Sequence, residues 1–309
     1  MQIHRSFDTL SNIKNPVVTT GTFDGVHFGH KVIIDRLNYL AKSVQGESVL
    51  ITFHPHPRRV LYPETAKDLK LINSQKEKII LLEKAGLDHL VIIDFTKEFA
   101  ETTSNEFVEG ILLAKLHAKI IIVGFNHHFG HNREGDYSYL YDLTKTHDFT
   151  VEEIPEQDLE NETVSSTITR KALLDGRVQR ANAYLDHFFI ITGELKSGKA
   201  KCKEIGFPTL EVIIEEDVKL IPLGGVYAIS AECDGNRYRG MLNIKTYCDE
   251  KEPSVQMHLF DYDSNYNLRG KIATIAFHKR MRNELQLDTS GSLKDQLEKD
   301  KSEIEELIY

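Results

Sequence analysis

Val17-Val18-Thr19-Thr20-Gly21-Thr22-Phe23-Asp24-Gly25-Val26-His27-Phe28-Gly29-His30 passes from an apolar run through closely spaced glycines into a helical pattern. It reads as a strand, a tight loop and the first turn of a helix. Glycines let a backbone approach an anion closely, and a helix start offers unpaired N–H groups and a positive dipole end. The imidazoles of His27 and His30 add side-chain donors. A His-x-x-His pair alone is weak evidence, but with Gly21, Asp24, Gly25 and Gly29 at these spacings the run reads as a cradle for nucleotide phosphates.

The same alternation continues on the C-terminal side. Helical patterns over 31–41, 74–85, 104–116 and 136–147 follow apolar runs at 17–23, 48–53, 89–94 and 119–125, with a last run at 149–154. Continuous Val/Ile-rich segments such as Ile120-Ile121-Ile122-Val123 suit a parallel sheet covered on both faces, with right-handed crossovers. Ligands of such sheets bind beyond the carboxyl ends of the strands. The 21–30 loop, His54-Pro55-His56-Pro57 and Gly124-Phe125-Asn126-His127-His128-Phe129-Gly130 all fall there.

Ser165-Ser166-Thr167 carries helix-capping chemistry, and short helical patterns follow at 168–174 and 178–185. From 188 onward the rhythm changes. Segments alternating every other residue, at 188–195, 209–214, 226–232, 238–244, 255–262 and 271–278, are parted by turn residues with no helix between them. They predict a small antiparallel six-stranded β-barrel, closed by a C-terminal helix over 292–308. The expected division is 1–186 and 187–309, and 309 residues are comfortable for two cores.

Composition excludes several classes. With 38 Lys+Arg against 47 Asp+Glu the formal charge is −9, so broad attraction to nucleic acid or anionic lipid is not expected, and an anionic substrate needs a local donor cluster. Cys202, Cys233 and Cys248 show no paired ligand spacing and read as reduced thiols. No apolar run approaches a membrane span and no leader pattern opens the chain, so the expected location is the cytoplasm, with no membrane partner. The histidines at 54, 56, 127, 128 and 131 lack a compact ligand pattern and a matching carboxylate, which disfavours a metal centre there.

Taken together, residues 21–30, Phe53-His54-Pro55-His56-Pro57, residues 124–130 and Ser165-Ser166-Thr167-Ile168-Thr169-Arg170 resemble the prokaryotic bifunctional riboflavin kinase/FMN adenylyltransferase family, the FAD synthetases. The resemblance spans nearly the whole chain. It implies a Rossmann-like nucleotidyltransferase domain that joins FMN to the adenylyl group of ATP, then a riboflavin kinase barrel. It implies that His27, His30 and Arg170 are catalytic, and that Gly21, Thr22, Phe23, Asp24, Gly29, Ser165, Ser166 and Thr167 bind ATP. His54, Pro55, Pro57 and Asn126 are the implied flavin contacts. The implied ligands are ATP with magnesium, FMN and riboflavin as substrates, and FAD as product. Thr169 departs mildly from the family, which often has Ile before the Arg.

The barrel half keeps the family's order of motifs and departs at its chemistry. Gly206-Phe207-Pro208-Thr209, Gly225-Val226-Tyr227-Ala228, Asn243-Ile244, His258-Leu259-Phe260-Asp261-Tyr262 and Arg282-Asn283-Glu284 are in place. Where the family has a Glu two residues before the His-Leu-x-Asp stretch, this chain has Gln256, and an amide accepts no proton near neutral pH. The family's Pro-Thr-x-Asn reads Pro208-Thr209-Leu210-Glu211, leaving Thr209 and Glu211 as expected metal ligands. Its glycine-rich loop reads Ser197-Gly198-Lys199-Ala200-Lys201-Cys202-Lys203, more a solvated basic loop than a phosphate cradle. The Arg-Pro-Thr expected after Asn243-Ile244 is absent from Lys245-Thr246-Tyr247-Cys248. The expectation is adenylyl transfer, with riboflavin phosphorylation weak or lost and with Asp261, Tyr262 and Arg282 left to hold flavin. The alternatives are a fully bifunctional enzyme, transfer to another small acceptor, and a flavin-binding sensor without turnover.

Overall fold

The computed structural model describes residues 1–309 except 11, 126, 160–161, 199–203, 246–252, 261, 263–266, 286–289 and 309. The chain folds as two compact units, one of residues 1–69 and 78–165, the other of 70–77 and 166–309.

The first unit is built on a six-stranded parallel sheet. Its strands are β1 (Gln2–His4), β2 (Val17–Thr20), β3 (Ser48–His54), β4 (His89–Asp94), β5 (Ile120–Gly124) and β6 (Thr150–Ile154), in the order β1-β4-β3-β2-β5-β6. Alternate residues feed opposite faces. Val18, Val49, Ile51, Val91 and Ile121 join one cluster with Phe107, Val108 and Leu140, while Val17, Leu50, Leu90 and Ile122 join another with Ile34, Leu37 and Leu82. Two buried faces are why the inner strands β2 to β5 are mostly apolar. β1 escapes sequence reading because this three-residue edge strand offers only Ile3 as an apolar residue; it is fixed by parallel pairing of Gln2, Ile3 and His4 with His89, Leu90 and Val91.

β2 is central, with β3 on one side and β5 on the other, so the chain's winding reverses between β2 and β5. Crevices at such reversals receive ligands. Helix α1 (Phe28–Ser43) leaves this point, burying Ile34, Leu37 and Ala41. α2 (Pro57–Leu61) follows β3, α3 (Gln75–Lys84) precedes β4 and α4 (Lys97–Ala100) follows it. The predicted helix over 104–116 has a π-helical stretch at Glu106–Leu113, with Ala114 N bonded to Glu109 O and Leu116 N to Ile111 O, five residues back. α5 (Tyr137–Leu143) precedes β6, and a two-stranded ribbon, β7 (Asp158–Leu159) with β8 (Glu162–Thr163), follows it.

The second unit carries α6 (Ser166–Leu174), α7 (Val178–Leu185) and a closed antiparallel barrel. Its strands are β9 (Phe189–Ser197), β10 (Leu210–Ile213), β11 (Gly225–Cys233), β12 (Asn236–Lys245), β13 (Ser254–Leu259) and β14 (Ile272–Arg282), in the order β10-β13-β12-β11-β14-β9. α8 (Ser290–Leu307) covers one outer face, where Ile304 and Ile308 cluster with Phe207, Val226, Ala228, Met241 and Phe260. α7 packs on β9 and β14, and Asn182 accepts from Phe189 N at 2.7 Å and donates to Phe277 O at 2.8 Å, which groups both short helices with the barrel rather than ending the first unit at 186.

Residues 70–77 join this unit through a buried ion pair. Lys219 Nζ lies 2.6 Å from Glu77 Oε2, 2.6 Å from Ile72 O and 2.7 Å from Ile190 O, and both charged side chains are fully buried. Glu77 also accepts from Ser74 N and Thr192 N. A charge pair removed from water persists only where further hydrogen bonds satisfy it, and these contacts do so.

Candidate active site

The loop between β2 and α1 is shaped by backbone that most side chains avoid. Phe23, Gly25 and Val26 stand at φ of +47°, +91° and +43°. Left-handed backbone at Phe and Val is sustained only by surrounding contacts. Thr22 O accepts from Lys78 Nζ at 2.6 Å and Thr52 Oγ1 at 3.3 Å, and Gly21 N donates to Ile51 O at 3.0 Å. The Phe23 ring and Val26 are buried in the α1-side core.

This path delivers His27 to the N-cap of α1 and His30 to its first turn. Their rings stack with centroids 3.6 Å apart at 19°, and Phe23 stacks on His30 at 4.5 Å. The His27 side chain makes no cap hydrogen bond and no acidic residue lies in the helix's first turn, while the Asp24 carboxylate is buried in the loop before it. His30 Nδ1 is buried with no hydrogen-bond partner among the described residues. Burial, then the neighbouring His27, then Lys78 hold the His30 pKa well below the ordinary histidine value, so the ring is neutral at physiological pH.

The β5 loop meets the β2 loop directly. Thr20 Oγ1 lies 3.0 Å from His127 Nε2, and burial, aided by His128 and Arg133, lowers the His127 pKa from 6.5 to about 4. Asn126 lies outside the described residues.

A cavity of about 180 Å³ in the same unit is walled by Tyr62, Phe95, Phe99, Phe107, Phe129 and the turn from Gly130 to Arg133. Flat aromatic walls suit a planar ring system. His54 ends β3 and Pro55 follows it, both exposed, and none of His54, Pro55 and Pro57 lines the cavity. His56 is engaged locally, its Nδ1 accepting from Arg58 N at 3.2 Å to cap α2. Of the cavity's aromatics Phe129 lies in the 124–130 motif, while Tyr62, Phe95, Phe99 and Phe107 carry none, because only folding gathers them.

Ser165 is the last residue of the first unit, whereas Ser166, Thr167 and Arg170 start α6 in the second, where Arg170 Nε donates to Lys70 O at 2.8 Å.

The barrel carries a separate cavity of about 140 Å³ against α8, lined by Phe207, Thr209, Asn243, Gln256, His258 and Leu297 among others. Glu211 pairs in register with Gln256, and Gln256 with Asn243, so the polar residues form one row across β10, β13 and β12. Thr209 Oγ1 and Asn243 Oδ1 are buried without hydrogen-bond partners among the described residues. Arg282, expected at a flavin, lines this cavity while bound to Asp300 of α8 through Nε at 3.0 Å and Nη2 at 2.5 Å. Asp261, the 199–203 lysine loop and 246–248 lie outside the described residues. Among the described residues no group of three or more His, Cys, Asp and Glu forms a metal cluster, and no helix is long and apolar enough to cross a membrane.

Comparison with known proteins accounts for both units. The FAD synthetase model matches residues 10–168 and the riboflavin kinase model residues 185–308. A bifunctional riboflavin kinase/FMN adenylyltransferase of Bacillus subtilis is 32% identical over 295 residues, 93% of this chain and 90% of its own. The chain belongs to that family. The Listeria monocytogenes member is 31% identical over 94% of this chain and 91% of its own. A solved Streptococcus pneumoniae structure described as a macrolide-efflux protein superposes with a TM-score of 0.86 at 28% identity, covering 97% of each chain.

Proposed function

We propose that the first unit transfers the adenylyl group of ATP to the phosphate of FMN, giving FAD and pyrophosphate. An FMN phosphate oxygen attacks the α-phosphorus, the new O–P bond forms, and the bond to the β-phosphate oxygen breaks as pyrophosphate leaves. No protein nucleophile is needed, only positioning and charge stabilisation. The observation that carries the reading is the buried Nδ1 of His30, unpartnered among the described residues, in a first helical turn that holds no acidic side chain. His27, His30 and the N–H groups opening α1 face the phosphates, and the aromatic cavity takes the isoalloxazine. For Arg170 and the hydroxyls of Ser165, Ser166 and Thr167, a triphosphate role is part of the same proposal.

For the barrel we propose flavin binding with weak riboflavin phosphorylation. Gln256 stands in the cavity where a carboxylate base is wanted, and losing a general base costs roughly 10²–10⁴ in rate. Thr209 Oγ1 and Asn243 Oδ1, buried hard donors beside the Glu211 register position, fit magnesium. Bound there, the ion neutralises phosphate charge. Incubation with FMN, ATP and magnesium should yield FAD and pyrophosphate, and no FAD refutes the first proposal. Riboflavin in place of FMN should give slow FMN formation that Gln256→Glu accelerates. Ordinary kinase rates in the unaltered protein refute the second.

A further inference from the structure

Lys78 belongs to no motif in the sequence and to none of the roles above, yet its ammonium sits inside the phosphate loop. It is 6% exposed, projects from α3, and donates to the Thr22 carbonyl at 2.6 Å. A lysine is rarely buried to this degree, because desolvating an ammonium is costly. The loop it grips is the one that runs through left-handed backbone at Phe23 and Val26, and the same carbonyl takes the weaker bond from Thr52. Its charge also reaches His30, where it adds to the effects of burial and of His27 in keeping the ring neutral. A fixed cation, two imidazoles and a helix N-terminus thus converge on one loop.

We propose that Lys78 is a positioning residue for adenylyl transfer, locking the Thr22 carbonyl so that His27 and His30 stay stacked, and supplying the cradle with positive charge. This rests on the adenylyl-transfer reading. The division of labour is chemical. A neutral imidazole donates one directed hydrogen bond and carries no net charge, whereas a lysine ammonium is a compact positive charge with three donors. Charge placed beside the cradle and shielded from water attracts the triphosphate more strongly than an exposed lysine does.

Two substitutions separate the lock from the charge. Lys78→Gln keeps an N–H donor for Thr22 O and removes the charge, while Lys78→Arg keeps the charge. FAD synthesis is measured with kcat and the KM values for ATP and FMN resolved, beside the unfolding midpoint of each protein. In Lys78→Gln, kcat/KM for ATP should fall about tenfold to a hundredfold, with KM for FMN and the unfolding midpoint unchanged. Lys78→Arg should recover most of the loss. Wild-type kinetics in Lys78→Gln overturn the charge role, as does a loss that Lys78→Arg shares in full. An equal rise in both KM values overturns it too, since that marks general loosening of the site. Absence of FAD from the unaltered protein is a different result, which refutes adenylyl transfer itself.

Discussion

His27 and His30 stack ring on ring, 3.6 Å between centroids at the start of α1, and the Phe23 ring continues the stack on His30. Stacking fixes the direction of each nitrogen before any ligand arrives, which is the preorganisation that electrostatic catalysis requires. His30→Ala should therefore lower FAD formation by about a hundredfold or more while the protein still folds cooperatively, with a lowered unfolding midpoint from the lost stacking. Parent-like turnover in this variant removes His30 from the mechanism.

His127 makes acid sensitivity predictable. Its pKa is lowered from 6.5 to about 4, chiefly by burial, so between those values the unfolded chain binds a proton that the folded chain refuses. Its contribution is intact above about pH 6.5 and is lost as pH falls toward 4, reaching on the order of 3 kcal/mol. The lowered pKa of His30 acts in the same direction. Urea unfolding at a series of pH values should show this decline, and His127→Asn should flatten it. An unchanged slope in the variant assigns the acid sensitivity elsewhere.

Lys219 and Glu77 form a buried pair whose members are not equivalent in loss. Lys219→Met leaves the buried Glu77 carboxylate with its bonds from Ser74 N and Thr192 N but no cation, and should cost about 3–5 kcal/mol. Glu77→Gln leaves an ammonium that still contacts Ile72 O and Ile190 O, beside an isosteric amide whose oxygen still accepts, and should cost less. Denaturant unfolding of both variants orders them, and the reverse order contradicts the assignment.

Gly198 is required by close approach rather than by its dihedral angles. A Cβ built there stands 2.2 Å from Thr209 Oγ1 and 2.4 Å from Thr209 O. Gly198→Ala should push Thr209 out of place and weaken magnesium–ATP binding to the barrel at least about tenfold, with FAD synthesis from FMN little changed. Isothermal titration with riboflavin present reads the first effect. Equal affinity in the two proteins separates Thr209 from nucleotide binding.

Much of this architecture is local in origin and was therefore legible. Ile120-Ile121-Ile122-Val123 reads as a strand buried on both faces and is one, and the alternating segments after 188 close into six antiparallel strands. The loop at 21–30 reads as a phosphate cradle because glycine, histidine and helix start are neighbours in the chain. Less visible was Glu106–Leu113, since apolar spacing does not distinguish a π-helical stretch from an α-helix. Arg282 illustrates the opposite limit. Its place in a motif said nothing of Asp300, which holds it from α8.

The sequence by itself determined the order and type of the main elements, the two units in outline and the loop that carries His27 and His30, because periodicity and turn chemistry act over a few residues. Only the tertiary structure decided what stands beside that loop. Lys78 reaches Thr22 across 56 positions, His127 reaches Thr20 across 107, and Lys219 reaches Glu77 across 142. The cavity aromatics from Tyr62 to Phe129 likewise meet only when the sheet is assembled. Such pairings leave no periodic trace, because burial and charge pairing are set by which surfaces the folded chain brings face to face.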